Sequence, residues 1–304
     1  MLFLVTGGAG FIGSHICERL LKDGHRVRIL DNFSTGKHEN IPDSNEVEVI
    51  EGDVGNHDTV RTAMKGVDTV FHEAAIASVP ETVGNPLASE RVNYRGTLNV
   101  LEAARHAAVR RVMFACSAAV YGDLAELPKQ ESMPVRPLSP YAVDKLASEL
   151  ACQMYTCLYG LETVSLRYFN VYGPRQDPSS PYSGVISIFT DLLNHGKQPT
   201  IYGDGEQTRD FIYVSDVVEA NIRAATSPTA SGKAINIATG SKLSVNELLM
   251  AICNIKGQPF EPRYEPARPG DIRHSRADIH AAREYLDWQP RVGFEEGLRQ
   301  LFEQ

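Results

Sequence analysis

Three glycines near the N-terminus constrain the fold of this chain more than any other feature. Gly7, Gly10 and Gly13 fall in "VTGGAGFIGSH", between a β-branched run at Leu2–Thr6 and an amphipathic pattern over Phe11–Lys22. Glycine permits a tight turn at this point and lets the backbone approach a pyrophosphate bound at the helix N-terminus. The sequence therefore predicts a strand, a glycine turn and a helix that together form a dinucleotide site.

Acidic residues at the ends of the next two predicted strands refine this site. Asp31 ends the predicted strand Arg26–Asp31 and comes about 20 residues after the glycines, where a carboxylate can hydrogen-bond the adenosine ribose. Because its charge would repel a 2′-phosphate, we predict NAD rather than NADP. Asp53, in "EGDV", either reaches the adenine or caps the following helix, and the sequence leaves both interpretations open.

Short β-branched runs alternate with helical patterns through the first half of the chain. The remaining strands are predicted at Glu46–Asp53, Asp68–Ala75, Arg110–Ser117 and Glu162–Tyr168, and further helices over Ala88–Ala107 and from Pro140 onward. This alternation is typical of right-handed βαβ units. We predict an α/β fold with a Rossmann-type doubly wound parallel sheet and a smaller mixed α/β C-terminal substrate domain. The expected division is 1–170 and 171–304, with segments near 212–240 returning to the first domain.

Composition excludes several classes of function. The 304 residues carry a net charge of −8, whereas nucleic-acid binding needs a basic surface, so no such partner is expected. No apolar run approaches the roughly 20 residues of a membrane helix, and no secretory signal precedes the first strand. We therefore expect no membrane partner and a cytoplasmic location. The five scattered cysteines form no metal-binding motif, which predicts buried reduced thiols and no metal site.

Tyr141 and Lys145 form a Y-x-x-x-K pair in the helix that begins at Pro140. Residues four apart share one helix face. A free tyrosine has a pKa of about 10, but a neighbouring ammonium together with an oxidised nicotinamide would lower that pKa. Such pairs also occur by chance on solvated helices, and here the glycine loop favours a catalytic pair. Ser117, at the end of a predicted strand, would bind the same substrate oxygen at the edge where ligands lie.

The glycine loop, Ser117 and the Tyr141–Lys145 pair, in this order, resemble the extended short-chain dehydrogenase/reductase superfamily. The chain is most similar to its NAD-dependent nucleotide-sugar 4-epimerases, which act on UDP-glucose and UDP-N-acetylglucosamine. Further matching segments are "DNFSTG", "FHEAA", "VNYRGT", "LRYFNVYGPRQDP", "GDGEQTRDFIYVSD" and "RPGDIRHSRAD". The resemblance covers essentially the whole chain. It implies a UDP-sugar partner and a homodimer formed through helices near 88–107 and 140–159.

The resemblance also implies roles for individual residues. Catalysis would involve Ser117, Tyr141 and Lys145. The cofactor would contact Gly7, Gly10, Phe11, Ile12, Gly13, Asp31, Asn32, Ser34, Gly36, Asp53, Val54, Ala74, Ala75, Asn93, Tyr141, Lys145 and Tyr168. The sugar nucleotide would contact Ser78, Ser117, Asn170, Tyr202, Arg209, Arg268, Asp271 and Ser275. Arg209 and Arg268 would clamp the pyrophosphate, which suits a bidentate cation, and Tyr202 would lie against the uracil.

Two alanines after Ser117 favour one reaction within this superfamily. Related 4,6-dehydratases carry an Asp-Glu pair in this neighbourhood and decarboxylases a Glu, because elimination needs acid and base groups there. Ala118 and Ala119 supply neither, so we expect 4-epimerisation through a transient 4-keto sugar. Ser275 stands where hexose-restricted relatives have a bulky tyrosine, which implies room for UDP-GlcNAc and UDP-GalNAc beside UDP-Glc and UDP-Gal. A dehydratase, a reductase and a non-catalytic NAD-binding regulator stay open as alternatives.

Overall fold

The structure, a computed structural model, describes residues 1–176, 184–267 and 272–303. Its strands are β1 (Leu2–Thr6), β2 (Arg26–Asp31), β3 (Val47–Glu51), β4 (Thr69–His72), β5 (Arg111–Ser117), β6 (Glu162–Tyr168), β7 (Asn170–Tyr172), β8 (Thr200–Tyr202), β9 (Thr208–Arg209), β10 (Phe211–Tyr213), β11 (Lys233–Ile237), β12 (Leu243–Ser244) and β13 (Arg263–Glu265). Its α-helices are α1 (Phe11–Lys22), α2 (His57–Ala63), α3 (Val79–Gly84), α4 (Pro86–Ser89), α5 (Arg95–His106), α6 (Pro140–Tyr159), α7 (Val185–Asn194), α8 (Val214–Thr226), α9 (Val245–Lys256), α10 (His280–Leu286) and α11 (Phe294–Phe302).

A parallel sheet in the order β11-β6-β5-β4-β1-β2-β3 forms the centre of the described structure. Helices α2, α5 and α6 cover one face, and α1, α8 and α10 cover the other. Burial on both faces explains why β1 and most of β5 are uninterrupted apolar runs. The strand order reverses at β1, between β2 and β4, and such a switch point creates a ligand crevice at the carboxyl edge. The predicted doubly wound α/β fold is confirmed.

The sequence predicted β1, β2, β6 and α1 with their observed bounds. The other predicted strands of the sheet extend one to three residues beyond the observed ones. The largest excess lies at 73–75, where the chain leaves β4 and passes the glycine turn instead of continuing the sheet. Apolar residues at a strand end are therefore not always part of the strand.

The long helix predicted over 88–107 is present as a helical segment over 86–106, with a π-helical turn in its middle. The chain forms α4, then a π-helical turn at Glu90–Tyr94, then α5. The turn lies where Asn93 bonds both backbone groups of Ile76: its Oδ1 accepts from the Ile76 amide at 2.8 Å and its Nδ2 donates to the Ile76 carbonyl at 3.1 Å. A π-turn inserts an extra residue into a helix, and such turns are frequent at functional sites.

Short two-stranded sheets follow β6 in the described part of the chain. β7 pairs with β10 and β8 with β13 in parallel, while β9 pairs with β12 in antiparallel orientation. Apolar residues of α7, α9 and α11 form a separate core beside them. This region is the smaller mixed α/β part that the sequence predicted. β11 returns to the main sheet beside β6, and the division at residue 170 stays a prediction.

A buried ion pair holds α6 against the main sheet. The Arg167 guanidinium on β6 donates to both carboxylate oxygens of Glu149 on α6, through Nε at 2.8 Å and Nη2 at 2.6 Å. Arg167 Nη1 also donates to the Tyr121 hydroxyl at 2.8 Å, and that hydroxyl donates to the Asn236 side-chain oxygen at 2.7 Å. Because both charges are bonded in a fork geometry, the cost of their burial is offset.

The cysteines follow the sequence prediction with one exception. Cys17, Cys116, Cys152 and Cys253 are buried, whereas Cys157 is exposed on α6. In the described ranges there is no helix with the length and apolar character needed to span a membrane.

Candidate active site

The glycine turn between β1 and α1 leaves no space for side chains. Gly7 has a φ of +69°, and a Cβ added there would lie 2.8 Å from the Ala74 amide nitrogen. A Cβ at Gly13 would lie 2.2 Å from the Gly7 carbonyl oxygen. Gly10 is the N-cap of α1 and offers no capping side chain, so the first amides of this helix have no side-chain acceptor at that position. This is the cradle that a pyrophosphate requires.

A cavity of about 420 Å³ opens at this turn, along the carboxyl edge of the sheet. Most of the predicted cofactor residues line it: Gly7, Gly10, Phe11, Ile12, Gly13, Asp31, Asn32, Ser34, Gly36, Val54, Ala74 and Ala75. The sequence analysis did not assign Glu73, Ile76, Ala77, Glu81 and Arg91, which line it too. The segment "FHEAA" could have indicated Glu73, because it follows β4 directly and forms part of the cavity wall.

Asp31 is buried at the end of β2 and fixes the two loops beside it. Its Oδ2 accepts from the Ala9 amide and its Oδ1 from the Phe33 amide, both at 2.9 Å. Each carboxylate oxygen has a second lone pair, so two acceptor sites stay available at the cavity wall. This geometry is compatible with a ribose diol, the ligand that the sequence predicts for Asp31.

Asp53 does not cap the helix that follows it. The N-cap of α2 is Asn56, whose side chain accepts from the amides of Asp58 and Thr59. Asp53 instead accepts from the Gly55 amide at 2.7 Å and pairs with Arg91 at 2.8 Å. The capping interpretation is therefore wrong, and an adenine contact stays a prediction.

Two other predicted ligand residues have structural partners. Asn93 fixes Ile76, as described above, and its Nδ2 also donates to Ser89 Oγ at 3.2 Å. Ser78 is the N-cap of α3, where its Oγ accepts from the Glu81 amide at 3.2 Å. Asn93 thus sets the position of the loop after β4, and the roles predicted for both residues toward ligands remain predictions.

The structure brings Ser117, Tyr141 and Lys145 together next to this cavity. Lys145 Nζ donates to the Ala115 carbonyl at 2.7 Å and lies 5.8 Å from the centroid of the Tyr141 ring. Ser117 ends β5, and its Oγ accepts from the Ala119 amide at 3.1 Å. Ser117 lies close enough to Tyr141 for its side chain to lower the pKa of that tyrosine. The topology brings these residues to one edge of the sheet, because α6 packs on β5 and β6.

The pKa values of this group differ from the sequence expectation. Burial raises the pKa of Tyr141 to about 12, and the neighbouring Ser117 side chain opposes that rise only in part. Burial also lowers the pKa of Lys145. The sequence analysis expected a lowered tyrosine pKa with the ammonium and an oxidised nicotinamide acting together, and in the protein by itself desolvation outweighs the opposing effect of Ser117. A positive charge from a bound nicotinamide would have to supply the lowering.

The predicted sugar-nucleotide residues lie beyond β6. The Ser275 amide donates to the Thr208 carbonyl at 3.0 Å, which places Ser275 beside β9, the strand that ends in Arg209. Tyr202 ends β8, and its carbonyl accepts from Gln207 Nε2 at 2.8 Å. These contacts link the segments of Tyr202, Arg209 and Ser275. Arg268 and Asp271 lie outside the described residues.

Asp210 is a residue of this region that the sequence analysis missed. Its buried carboxylate accepts from the Thr239, Gly240 and Ala277 amides at 2.8 to 3.2 Å. Its carbonyl accepts from the amide and from the side chain of Asn170, at 3.1 and 3.2 Å. Asp210 therefore joins the Asn170 strand to the Ser275 segment. Its position in "TRDF" gave no signal for these distant partners.

Comparison with known proteins identifies the family. The model of the NAD dependent epimerase/dehydratase family matches residues 3–238. The chain belongs to this family. The predicted superfamily, its character as an enzyme and the cofactor NAD are confirmed by this match and by the relatives described next.

Individual family members are similar to this chain over its full length. UDP-glucose 4-epimerase of Mycolicibacterium smegmatis is 44% identical over 100% of this chain and 98% of its own. The solved UDP-N-acetylglucosamine 4-epimerase of Methanobrevibacter ruminantium, in complex with UDP-N-acetylmuramic acid, is 41% identical with a TM-score of 0.95, covering 99% and 96%. The solved UDP-glucose 4-epimerase of Thermus thermophilus, in complex with NAD, is 41% identical with a TM-score of 0.91, covering 100% and 98%. A more distant relative is UDP-glucuronic acid decarboxylase 1 of Xenopus tropicalis, 35% identical over 97% and 70%.

The residues of the cavity fit NAD. The glycine turn has no room for a Cβ and so exposes its backbone to the cavity, α1 begins at this turn, and Asp31 lines the same cavity. Among the described residues, His, Cys, Asp and Glu form no cluster suited to a metal ion.

We predict that Gly13→Ala loses bound NAD, because the added Cβ would lie 2.2 Å from the Gly7 carbonyl oxygen and force the turn open. The expected loss in affinity is about tenfold or more. The bound NAD is measured by its release from the denatured protein, and its affinity by calorimetric titration. Gly84→Ala is the matched control, since an added Cβ there meets nothing within 4 Å. Affinity of Gly13→Ala equal to that of the wild type would contradict this cofactor site.

Proposed function

We propose that the protein epimerises a UDP-hexose at C4 through a transient 4-keto sugar, with UDP-Glc/UDP-Gal and UDP-GlcNAc/UDP-GalNAc as substrates. The observation that carries this proposal is the meeting of Ser117, Tyr141 and Lys145 beside the dinucleotide cavity. At the same edge Ala118 and Ala119 begin the turn after β5, and neither has a side chain that transfers protons. The set therefore supports oxidation and reduction without elimination.

The glycine turn and Asp31 would hold NAD, which when bound would supply the chemistry of hydride transfer at C4 of the sugar. Tyr141 takes the proton of the C4 hydroxyl, and the Ser117 hydroxyl stabilises the same oxygen. Lys145 is held by the Ala115 carbonyl, which keeps its ammonium beside the Tyr141 ring. The high pKa of Tyr141 suits it to give the proton back in the second half of the reaction.

The alternatives are less well supported by the site. A 4,6-dehydratase or a decarboxylase needs an acid or base next to Ser117, where this chain has Ala118 and Ala119. A non-catalytic regulator would not need Ser117, Tyr141 and Lys145 in contact. A reductase would use the same three residues but would release the cofactor in each turnover, so tightly bound NAD in the purified protein distinguishes the two.

We predict that Tyr141→Phe lowers turnover by roughly 10²–10⁴-fold, because the C4 hydroxyl loses its proton acceptor. The assay follows the products from UDP-Glc, UDP-GlcNAc and UDP-GlcA side by side, which also separates epimerisation from decarboxylation. Tyr159→Phe, at an exposed tyrosine of the same helix, is the control and should keep wild-type activity. Interconversion of UDP-sugars by Tyr141→Phe at the wild-type rate would refute the mechanism.

Ser275 supports the proposal that N-acetylated sugars are accepted. It is partly buried beside β9, and its small side chain leaves room that a tyrosine would fill. A solved relative at 41% identity is named for UDP-N-acetylglucosamine. A small residue permits the larger sugar without requiring it, so we propose dual specificity.

Ser275→Tyr should abolish turnover of UDP-GlcNAc, by about 100-fold or more, and spare that of UDP-Glc, because the ring would occupy the space of the N-acetyl group. Steady-state rates with each sugar measure the effect. Ser275→Ala, which removes only the hydroxyl, should keep both activities. If the tyrosine variant turns over UDP-GlcNAc as the wild type does, Ser275 does not border the sugar.

We also propose a homodimer formed through α6. Val143, Leu150, Met154 and Leu158 are exposed at helical spacing on α6, with 41 to 64% of their surface accessible. These four residues form the apolar stripe of α6, opposite the face that carries Tyr141 and Lys145. An apolar stripe of this length on an exposed helix is typical of a protein–protein interface. Single exposed apolar residues are common on protein surfaces, but a row of four on one helix face is not.

Leu150→Glu is expected to convert the dimer into a monomer, because it places a charge at the centre of the apolar stripe. Light scattering after gel filtration gives the mass in solution. Met250→Glu makes the same change at an exposed position of α9 and should leave the mass unchanged. A wild-type protein that is monomeric at micromolar concentration would contradict the proposed dimer.

We also propose a cytoplasmic location. All five cysteines are unpaired, which is typical of a reducing compartment.

A further inference from the structure

His72 is the last residue of β4, is buried, and has no role in the proposed reaction. Both of its ring nitrogens bond threonine hydroxyls: Nδ1 lies 2.7 Å from Thr6 Oγ1, and Nε2 lies 3.0 Å from Thr97 Oγ1. Thr6 ends β1 directly before the glycine turn, and Thr97 lies in the first turn of α5. The imidazole therefore connects the strand before the glycine turn to the helix after the π-turn.

The hydrogen bonds of Thr97 fix which ring nitrogen of His72 carries the proton. Thr97 Oγ1 donates its single proton to the Asn93 carbonyl at 2.6 Å, because a carbonyl oxygen can only accept. Thr97 Oγ1 must then accept from His72, so Nε2 carries the proton and Nδ1 is an acceptor. Thr6 in turn donates to Nδ1, and its oxygen accepts from the Ala74 amide at 3.3 Å. Each proton of this chain thus has one acceptor.

The imidazole is neutral in this arrangement. A second ring proton, on Nδ1, would meet the hydroxyl proton of Thr6 in the same 2.7 Å contact. Burial lowers the pKa of His72 to about 3, and the Lys145 ammonium acts in the same direction. The Phe114 ring lies near both groups, with its centroid 5.9 Å from that of the imidazole and 4.9 Å from Lys145 Nζ. His72 is therefore suited to orient its neighbours and unsuited to exchange protons near pH 7.

One end of this chain of hydrogen bonds reaches the wall of the NAD cavity. The Ala74 amide, which donates to Thr6, belongs to the segment 73–77 that lines the cavity. A Cβ on Gly7 would lie 2.8 Å from the same amide nitrogen. The position of Ala74 therefore decides how closely the cavity wall approaches the glycine turn.

The other end of the chain reaches α6. The Asn93 carbonyl accepts from Ser148 Oγ at 3.1 Å as well as from Thr97. Ser148 lies about one turn after Lys145 on α6. A continuous series of buried bonds thus runs from the cavity wall through His72 to the helix that carries the candidate catalytic pair.

We propose that His72 is a positioning residue that holds the wall of the NAD cavity in register with α6. It does not touch the reacting atoms, and it acts through Ala74 at one end and through Asn93 at the other. The neutral form with its proton on Nε2 serves both threonines at once. The effect on NAD affinity depends on the cofactor site alone, whereas the effect on turnover rests also on the proposed function of Tyr141.

The first test removes single hydroxyls of the chain by one isosteric change. Thr6→Val and Thr97→Val each leave a buried ring nitrogen of His72 without its partner, so the chain should rearrange. We expect NAD affinity, measured by calorimetric titration, to fall about three- to tenfold in each variant. Thr69→Val is the matched control, since Thr69 is equally buried on β4 and its hydroxyl has no hydrogen-bond partner within the described residues. This variant should bind NAD as the wild type does.

Variants of His72 itself separate the two ends of the chain. A glutamine amide reaches as far as Nε2 and can still donate to Thr97, whereas an asparagine oxygen reaches only as far as Nδ1 and can still accept from Thr6. His72→Gln should therefore weaken NAD binding more than it lowers turnover at saturating NAD, and His72→Asn should do the reverse. The ratio of the two losses should differ by about threefold or more between the variants. A merely structural role would lower the unfolding temperature of both and give no such difference.

Nitrogen-15 NMR of the histidine-labelled, NAD-loaded protein reads the protonation of His72 without turnover. The signal that is missing from His72→Gln should show a proton on Nε2 alone, and it should not titrate near the ordinary histidine pKa of about 6.5. A signal that titrates there, a proton on Nδ1, or equal NAD affinity of Thr6→Val, Thr97→Val and Thr69→Val would overturn the inference. Full activity of Tyr141→Phe would instead refute the proposed function, and it would leave the NAD affinities and the NMR signal unchanged.

Discussion

The buried ion pair between Arg167 and Glu149 fixes the helix on which the candidate site depends. Two charges inside a protein stabilise it only when their geometry is excellent, and here both carboxylate oxygens accept from one guanidinium. Glu149 lies one turn after Lys145 on α6, and Cys116 on β5 contacts both the Lys145 carbonyl and the Glu149 carboxylate. The pair therefore locks α6 in both register and rotation against β5. Tyr141 can then meet Ser117 without any direct bond between their backbones.

The sequence was sufficient where the signal is local. Gly7, Gly13 and Asp31 lie within one strand-turn-helix-strand unit, so their arrangement follows from spacing alone. The meeting of Ser117 with Tyr141 was also predictable, because strand ends of a parallel sheet share one edge. The pKa of Tyr141 was not, since it depends on how much water the surrounding structure excludes, which no pattern of residues reports.

Contacts between distant segments decided what the sequence analysis missed. Asp210, for example, is held by amides 29 to 67 residues away. The π-turn before α5 contains Asn93, which bonds Ile76, 17 residues earlier, a contact that the helical pattern does not report. Asp53 shows the opposite kind of error. The sequence offered it as a possible helix cap, but the N-cap of α2 is Asn56, three residues later.

Helix α6 has chemistry on one face and an apolar stripe on the other. If two copies pair through that stripe, each Tyr141 would lie about one helix diameter, roughly 10 Å, from the partner subunit. The two faces of α6 would then be constrained separately, one by the site around Tyr141 and the other by association. The rigid backbone of one helix would connect the interface to the site.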